Sequence, residues 1–229
     1  MKYLAGLDLG QAQDYSALAI CDYDERLGRG ETVYAFRYLH RWPLGTSYPA
    51  IVADIPQILV HLPPRSVALA VDATGVGRGV YDLFASANLV TAAIQLHGGH
   101  QVTYDRGYWN VPKRDIVAAV QVALQTGRLK IAKALELAAT LKQELLDFRY
   151  KLDPATAHDS YAAWREKDHD DLVLAVALAV WWGERQAQDR LPALDMSRGL
   201  SGLRRPRRMP AAVPDLGRWQ DAMWLEDDR

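Results

Sequence analysis

The chain has 229 residues, 49% of them hydrophobic and 24% charged, with a formal net charge of −1. That length supports one good core, or one domain plus an appendage. The near-neutral balance excludes a strongly basic nucleic-acid binder, and a single cysteine, Cys21, excludes a disulfide framework and a cysteine-based zinc cluster.

Residues 2–9 read as a buried strand that starts within two residues of Met1, so no secretory signal is expected. Residues 15–22 read as a second strand after the turn Gly10 to Asp14. Gly28 and Gly30 mark another turn, and Glu31 to His40 alternates as a third strand. Short connections between these three favour an antiparallel meander. Residues 48–61 read as a helix with Ile51, Ile55, Ile58 and Leu59 on one face, stopped by Pro63-Pro64. Residues 66–72 form a wholly apolar strand of the parallel, doubly covered kind.

Val76 to Asn88 then reads as a helix and Leu89 to Leu96 as a fifth strand. Gly98 to Trp109 reads as a loop, and Pro112 suits the first turn of a helix that runs to Thr126 and stops at Gly127. Arg128 to Ile131 is extended, 133–148 helical, and 149–163 polar and irregular. The closing helix spans about 170–186, and Trp181-Trp182 read as its packing residues. Its longest apolar run, Leu172 to Trp182, is 11 residues, too short to span a bilayer. From Leu191 on, Pro, Gly, Arg and Ser dominate. The expected organisation is therefore one domain over 1–190 and a partly flexible tail over 191–229, with a docking segment at Leu216 to Leu225.

A strand meander followed by two strand–helix steps predicts an α/β fold: a mixed five-stranded sheet with helices on both faces. In such a sheet the first and fourth strands tend to be neighbours, which would bring Asp8 and Asp72 together. A carboxylate at the end of a buried strand is costly to desolvate. Several at one sheet edge repel one another, and a divalent metal is the usual remedy. The third acidic group, Asp168-His-Asp-Asp171, opens the closing helix. Each also has a plainer reading. Asp8 can cap a turn over Gly10, Asp72 or Thr74 can cap the following helix, and Asp170 or Asp168 can cap the last one.

Aspartates on strand one, on strand four and at the start of the last helix resemble the RNase H-like plan. Within it the chain most resembles the nuclease domain of phage terminase large subunits. The resemblance rests on Gly6 to Ile20 around Asp8, Val71-Asp-Ala-Thr-Gly-Val-Gly77, Val111-Pro-Lys-Arg-Asp-Ile-Val117 and His169-Asp-Asp-Leu-Val-Leu-Ala-Val-Ala-Leu-Ala179, and it covers most of residues 3–185. Large terminases carry an ATPase motor ahead of this domain, and no Gly-x-x-x-x-Gly-Lys-Ser/Thr phosphate loop occurs here.

The resemblance implies a metal-dependent endonuclease that cuts double-stranded DNA during viral genome packaging. Its cofactors would be two Mg²⁺ or Mn²⁺ ions on Asp8, Asp72 and a third carboxylate. Asp171 is preferred there, with Asp168 and Asp170 as near alternatives. His169 and Asp14 would sit just behind the ligands, although an exposed histidine and a turn-shaping aspartate are the commoner outcomes. Tyr104, Arg106, Tyr108, Trp109, Lys113 and Arg114 together suit a groove that tracks the DNA backbone. A surface loop whose aromatics pack on the core is the plainer reading, and the resemblance supports Lys113 and Arg114 in particular. Arg204 to Arg208 reads as a solvated linker or a nonspecific phosphate binder. Expected partners are DNA, a separate terminase ATPase, a small terminase subunit or a portal, with no membrane. The expected compartment is the cytoplasm, that of a host if the gene is phage-borne.

Three rivals share part of the pattern. A RuvC-like junction resolvase has the same fold and carboxylates. A sugar-kinase or actin-like ATPase also begins with Asp-Leu-Gly on its first strand but needs a duplicated domain and further phosphate motifs. A non-catalytic DNA- or portal-docking module would need no carboxylates at all.

Overall fold

The computed structural model describes residues 2–10, 14–24, 32–63, 66–89, 91–150, 170–190 and 224–225. Three strands come first: β1 (Lys2–Asp8), β2 (Ala17–Asp24) and β3 (Val33–Arg41). They are followed by helix α1 (Tyr48–Leu59), β4 (Val67–Asp72), α2 (Gly77–Ser86) and β5 (Thr91–His97). Then come β6 (Thr103–Asp105), β7 (Tyr108–Pro112), α3 (Lys113–Gln125), β8 (Leu129–Ala132), α4 (Ala138–Tyr150), α5 (Asp171–Arg190) and a two-residue strand, β9 (Trp224–Leu225).

The nine strands among the described residues join one sheet in the order β6-β7-β5-β4-β1-β2-β3-β8-β9. The expected five form its centre. β2 runs antiparallel to β1 and β3, while β4 lies parallel to β1, and β5 parallel to β4. Four further strands correct the expected count. β7 and β6 extend one side, and β8 and β9 extend the other.

The first pair arises because Gly98 to Trp109 is not a plain loop. Arg106 and Gly107 both have positive φ, +50° and +91°, between the paired residues Asp105 and Tyr108. Two consecutive positive-φ residues make the tight turn whose twist matches a hairpin. The second pair starts from Arg128 to Ile131, which docks beside β3. Trp224 and Leu225 then pair with Ile131 and Ala132. They fall inside the segment expected to dock.

The alternation of each strand splits the core in two. Leu4, Ala68 and Ala70 face α3, α4 and α5. Ala5, Leu7, Leu9, Leu69 and Val71 face Ile51, Val52 and Ile55 of α1 and Val80 and Phe84 of α2. Helix α5 is buried on every side from Leu172 to Val180 apart from the half-buried Leu174, as an apolar stretch with no polar face must be. Each fully buried Leu or Val there contributes about 1.5–3 kcal/mol relative to exposure. Among the described residues, no helix is long and apolar enough to cross a membrane.

Candidate active site

The two strand aspartates meet through the register of the sheet. β1 and β4 are parallel neighbours whose last paired residues are Leu7 and Val71. One step further, both strands reach an aspartate, Asp8 and Asp72. Side chains alternate with period two, so Asp8 shares a face with Leu4 and Gly6, and Asp72 with Ala68 and Ala70. That is the face covered by α5.

Helix α5 brings the third carboxylate to the same end. A Cβ on Gly6 would touch the backbone of Ala175 and Ala179, while one on Gly183 would touch Leu4 and Tyr34. The helix therefore runs antiparallel to β1. Four residues of helix before Ala175 span about 6 Å. Two residues of strand after Gly6 span about 7 Å. Asp171 and Asp8 accordingly lie at matching levels. Asp171 is the first residue of α5 and Asp170 immediately precedes it. Asp168 and His169 lie outside the described residues.

The three carboxylates differ in their surroundings. Asp72 is 3% exposed, and its Oδ1 accepts the Thr74 amide at 2.7 Å. Thr74 in turn accepts the Leu96 amide at 2.8 Å, tying the turn to β5. Gly75 and Gly77 both have positive φ, as the tight passage from β4 into α2 requires. Neither Asp72 nor Thr74 caps α2. Its cap position is Val76, with no side-chain cap bond. Asp8 is half-buried and close to Tyr48, whose phenol is pushed up by burial first and by Asp8 second. Asp171 is 5% exposed, and its Oδ2 accepts Nε of Arg41 at 2.6 Å.

Arg41 and Glu144 were not singled out in the sequence. Arg41 ends β3, and the cross-strand row Asp8–Ala17–Arg41 puts it on the α5 face. Its guanidinium bridges Asp171 and Glu144 of α4 and lies 4.9 Å from the Tyr15 ring centre. Glu144 is 7% exposed, and its Oε2 accepts the amides of Leu172 and Val173, each at 3.1 Å. Burial and the neighbouring Asp171 push its carboxyl up to about 7, against the pull of Arg41 and the Val173 amide. No local signal marks either residue. Arg41 ends an ordinary strand, and Glu144 sits in the mixed stretch Leu141-Lys-Gln-Glu-Leu145.

The remaining candidates take other places. Asp14 is exposed, and its carbonyl lies so close to Gly10 that a Cβ there would be 2.3 Å away. Trp109 is half-buried against Tyr104, Trp181 and Trp182, with Arg185 4.8 Å from its ring centre. Arg106 is exposed at the hairpin tip beside Asp105. Arg114 bonds Nδ1 and the carbonyl of His100 at 2.6 and 2.8 Å. Lys113 begins α3, whose first turn also holds Asp115. A cavity of about 830 Å³ lies elsewhere, against α1, and is lined by Asp22, Arg37, His40 and Asp54 among others.

The donor chemistry fits a hard divalent ion. Asp8, Asp72 and Asp171 offer carboxylate oxygen only, which suits Mg²⁺ or Mn²⁺ better than thiolate-loving metals. Among the described residues, no three His, Cys, Asp or Glu side chains are drawn together tightly enough to form a finished coordination group. Asp171 is turned to Arg41, and the three positions share an edge without closing on one another.

The architecture has solved counterparts. The nuclease of the large terminase from thermophilic phage G20c, solved with bound zinc, matches with a TM-score of 0.51 and 21% identity over 78% of this chain and 79% of that one. A second structure of the same nuclease matches with a TM-score of 0.51 and 17% identity over 78% and 80%. The chain has the fold of a large-terminase nuclease. That fold is RNase H-like, as the order of strands and carboxylates implied. No protein-family model matches the sequence, and no curated protein matches it.

Proposed function

We propose that this chain is a metal-dependent DNA endonuclease of the large-terminase type, acting in viral genome packaging. One observation carries the reading. Asp8 and Asp72 end adjacent parallel strands in register, and Asp171 opens the helix that crosses them at the same level. Stability alone gives no reason to collect three acids at one buried edge. Similarity to two structures of a nuclease of the same fold supports the reading, one of them solved with zinc.

Asp8, Asp72 and Asp171 would hold a pair of Mg²⁺ or Mn²⁺ ions. When bound, such a pair supplies Lewis-acid activation of water and stabilisation of the leaving 3′ oxygen. The protein's own contribution is placement. The sheet register fixes the spacing of Asp8 and Asp72, and the Gly6 contact fixes the height of Asp171. Asp170 is the near alternative on the same turn. Cleavage would leave 5′-phosphate and 3′-hydroxyl ends. Lys113, Arg114 and Arg106 would contact the DNA backbone, a role that needs charge rather than base reading. An ATPase motor would feed the DNA, and the 229 residues contain no phosphate loop themselves.

The test is cleavage of supercoiled plasmid in Mn²⁺ or Mg²⁺ by the wild type, Asp8→Asn and Asp72→Asn. The wild type should nick and linearise the plasmid, and each variant should be slowed at least about 100-fold, on the scale of losing one essential metal ligand. An inert wild type, or variants that cut as fast as it does, would sink the proposal.

A further inference from the structure

We propose that Glu144 is a positioning residue that acts through Asp171, with Arg41 as the link between them. The inference rests on the nuclease reading and deepens it.

The first turn of a helix leaves its leading amides without partners inside the helix. Their usual acceptor is the side chain of the residue just before the helix. In α5 the amides of Leu172 and Val173 are taken by Glu144, a residue of another helix. The first intrahelical bond of α5, from the Leu174 amide to the Asp170 carbonyl at 2.9 Å, starts at the same point. Glu144 therefore pins the turn that carries Asp171 to α4.

The other oxygen of Glu144 pairs with Arg41, and the same guanidinium takes Oδ2 of Asp171. The cation is held by the sheet, because Arg41 ends β3 in the row that contains Asp8. Two elements besides its own helix thus fix one carboxylate. The strand sets the guanidinium, α4 sets the helix end, and both meet at Asp171. All three side chains are well buried, at 16%, 7% and 5% exposure for Arg41, Glu144 and Asp171. Few alternative arrangements are open to them. Partners of this kind orient metal ligands, and their loss typically weakens metal affinity by about 10- to 100-fold.

A purely structural cap would also cost stability when removed, so the test must separate the two roles. Mn²⁺ titration by calorimetry and kcat on plasmid are measured for the wild type, Glu144→Ala, Asp171→Asn and the double variant, with circular dichroism as the folding control. Glu144→Ala should weaken Mn²⁺ binding and lower kcat by about tenfold. In the Asp171→Asn background the same change should cost less than about twofold, because coupled residues are not additive. Equal losses in both backgrounds would overturn the proposal. So would a folded Glu144→Ala variant with wild-type affinity and kcat.

Glu144→Gln retains an acceptor for the two amides and drops the charge facing Arg41. If Glu144→Ala does not fold, Glu144→Gln is held to the same two criteria, with a loss of a few-fold expected. A wild type that binds no Mn²⁺ would overturn the nuclease reading itself, and the positioning role with it. A wild type that binds Mn²⁺ and is weakened by Asp171→Asn, but not by either Glu144 variant, would overturn the positioning role alone.

Discussion

Gly6 of β1 and Ala175 of α5 are in backbone contact. A Cβ on Gly6 would stand 1.9 Å from the Ala175 carbonyl oxygen and 2.8 Å from the Ala179 amide. No flexible side chain is available to give way, so the helix itself would have to lift. Gly6→Ala should therefore cost about 3 kcal/mol or more, the upper end for overpacking a core. Urea unfolding measures it. A loss under about 1 kcal/mol would mean that α5 does not rest on β1 at this point.

Trp109 has two readings in the sequence, a DNA-facing residue and a loop aromatic packed on the core, and its ring packs on Trp181 and Trp182 of α5. It is half-buried between Tyr104 and the Trp181-Trp182 pair, and Arg185 stacks over it. Trp109→Ala should lose about 2–3 kcal/mol, somewhat less than a fully buried aromatic. Trp109→Phe should recover most of that loss. If Trp109→Ala unfolds like the wild type and only DNA affinity drops, the packing role is wrong.

Glu184 ties the far end of α5 to the sheet. Its Oε1 accepts the Tyr34 hydroxyl at 2.7 Å and pairs with Arg128, which also donates to the Thr32 carbonyl. Burial, followed by Glu184, pushes the Tyr34 phenol far above its ordinary range. Glu184→Ala would leave Arg128 with one acceptor fewer at 11% exposure. Breaking a fully buried pair costs about 3–5 kcal/mol, and partial exposure of Glu184 reduces that to about 2 kcal/mol. Thermal unfolding of Glu184→Ala and Glu184→Gln should show the deficit, with Gln the milder. Equal stability in both variants and the wild type would remove the network from the account of the fold.

His40 makes stability depend on pH. It stands edge-on to Trp42 at 4.7 Å, and burial lowers its pKa, against the opposing pull of Asp54. The unfolded chain therefore holds this proton more tightly than the folded one. Stability from this group is present above the unfolded pKa of about 6.5, and is lost as pH falls through and below it. The melting temperature should drop between pH 7.5 and pH 5.5, and His40→Gln should flatten part of that slope. An unchanged slope in the variant would assign the effect to other groups.

Much of the fold was legible because its signals are local. The apolar runs around Leu4 and Leu69 are buried strands, and Gly127, at φ +67°, ends α3 as expected. The alternating stretch Glu31 to His40 overlaps all of β3 but its last residue, Arg41. The hairpin of β6 and β7 was missed because its turn, Arg106-Gly107, puts a bulky residue at a positive-φ position where Asn or Asp is usual. The short strand β8 was read only as extended, since four residues beside a turn do not declare a partner.

The sequence by itself determined the order of the five central strands and the helices, and put one aspartate at the end of β1, one at the end of β4 and one at the start of α5. Period-two and helical patterns, with turn residues between them, are properties of short stretches of chain. Tertiary structure alone decided that Leu7 pairs with Val71, that Gly6 admits the backbone of α5, and that Arg41 and Glu144 close on Asp171. Those contacts join residues up to about 170 positions apart, as Gly6 and Ala175 are. Only long-range packing brings such distant residues together, because loop-closure entropy opposes them until the surrounding core is buried.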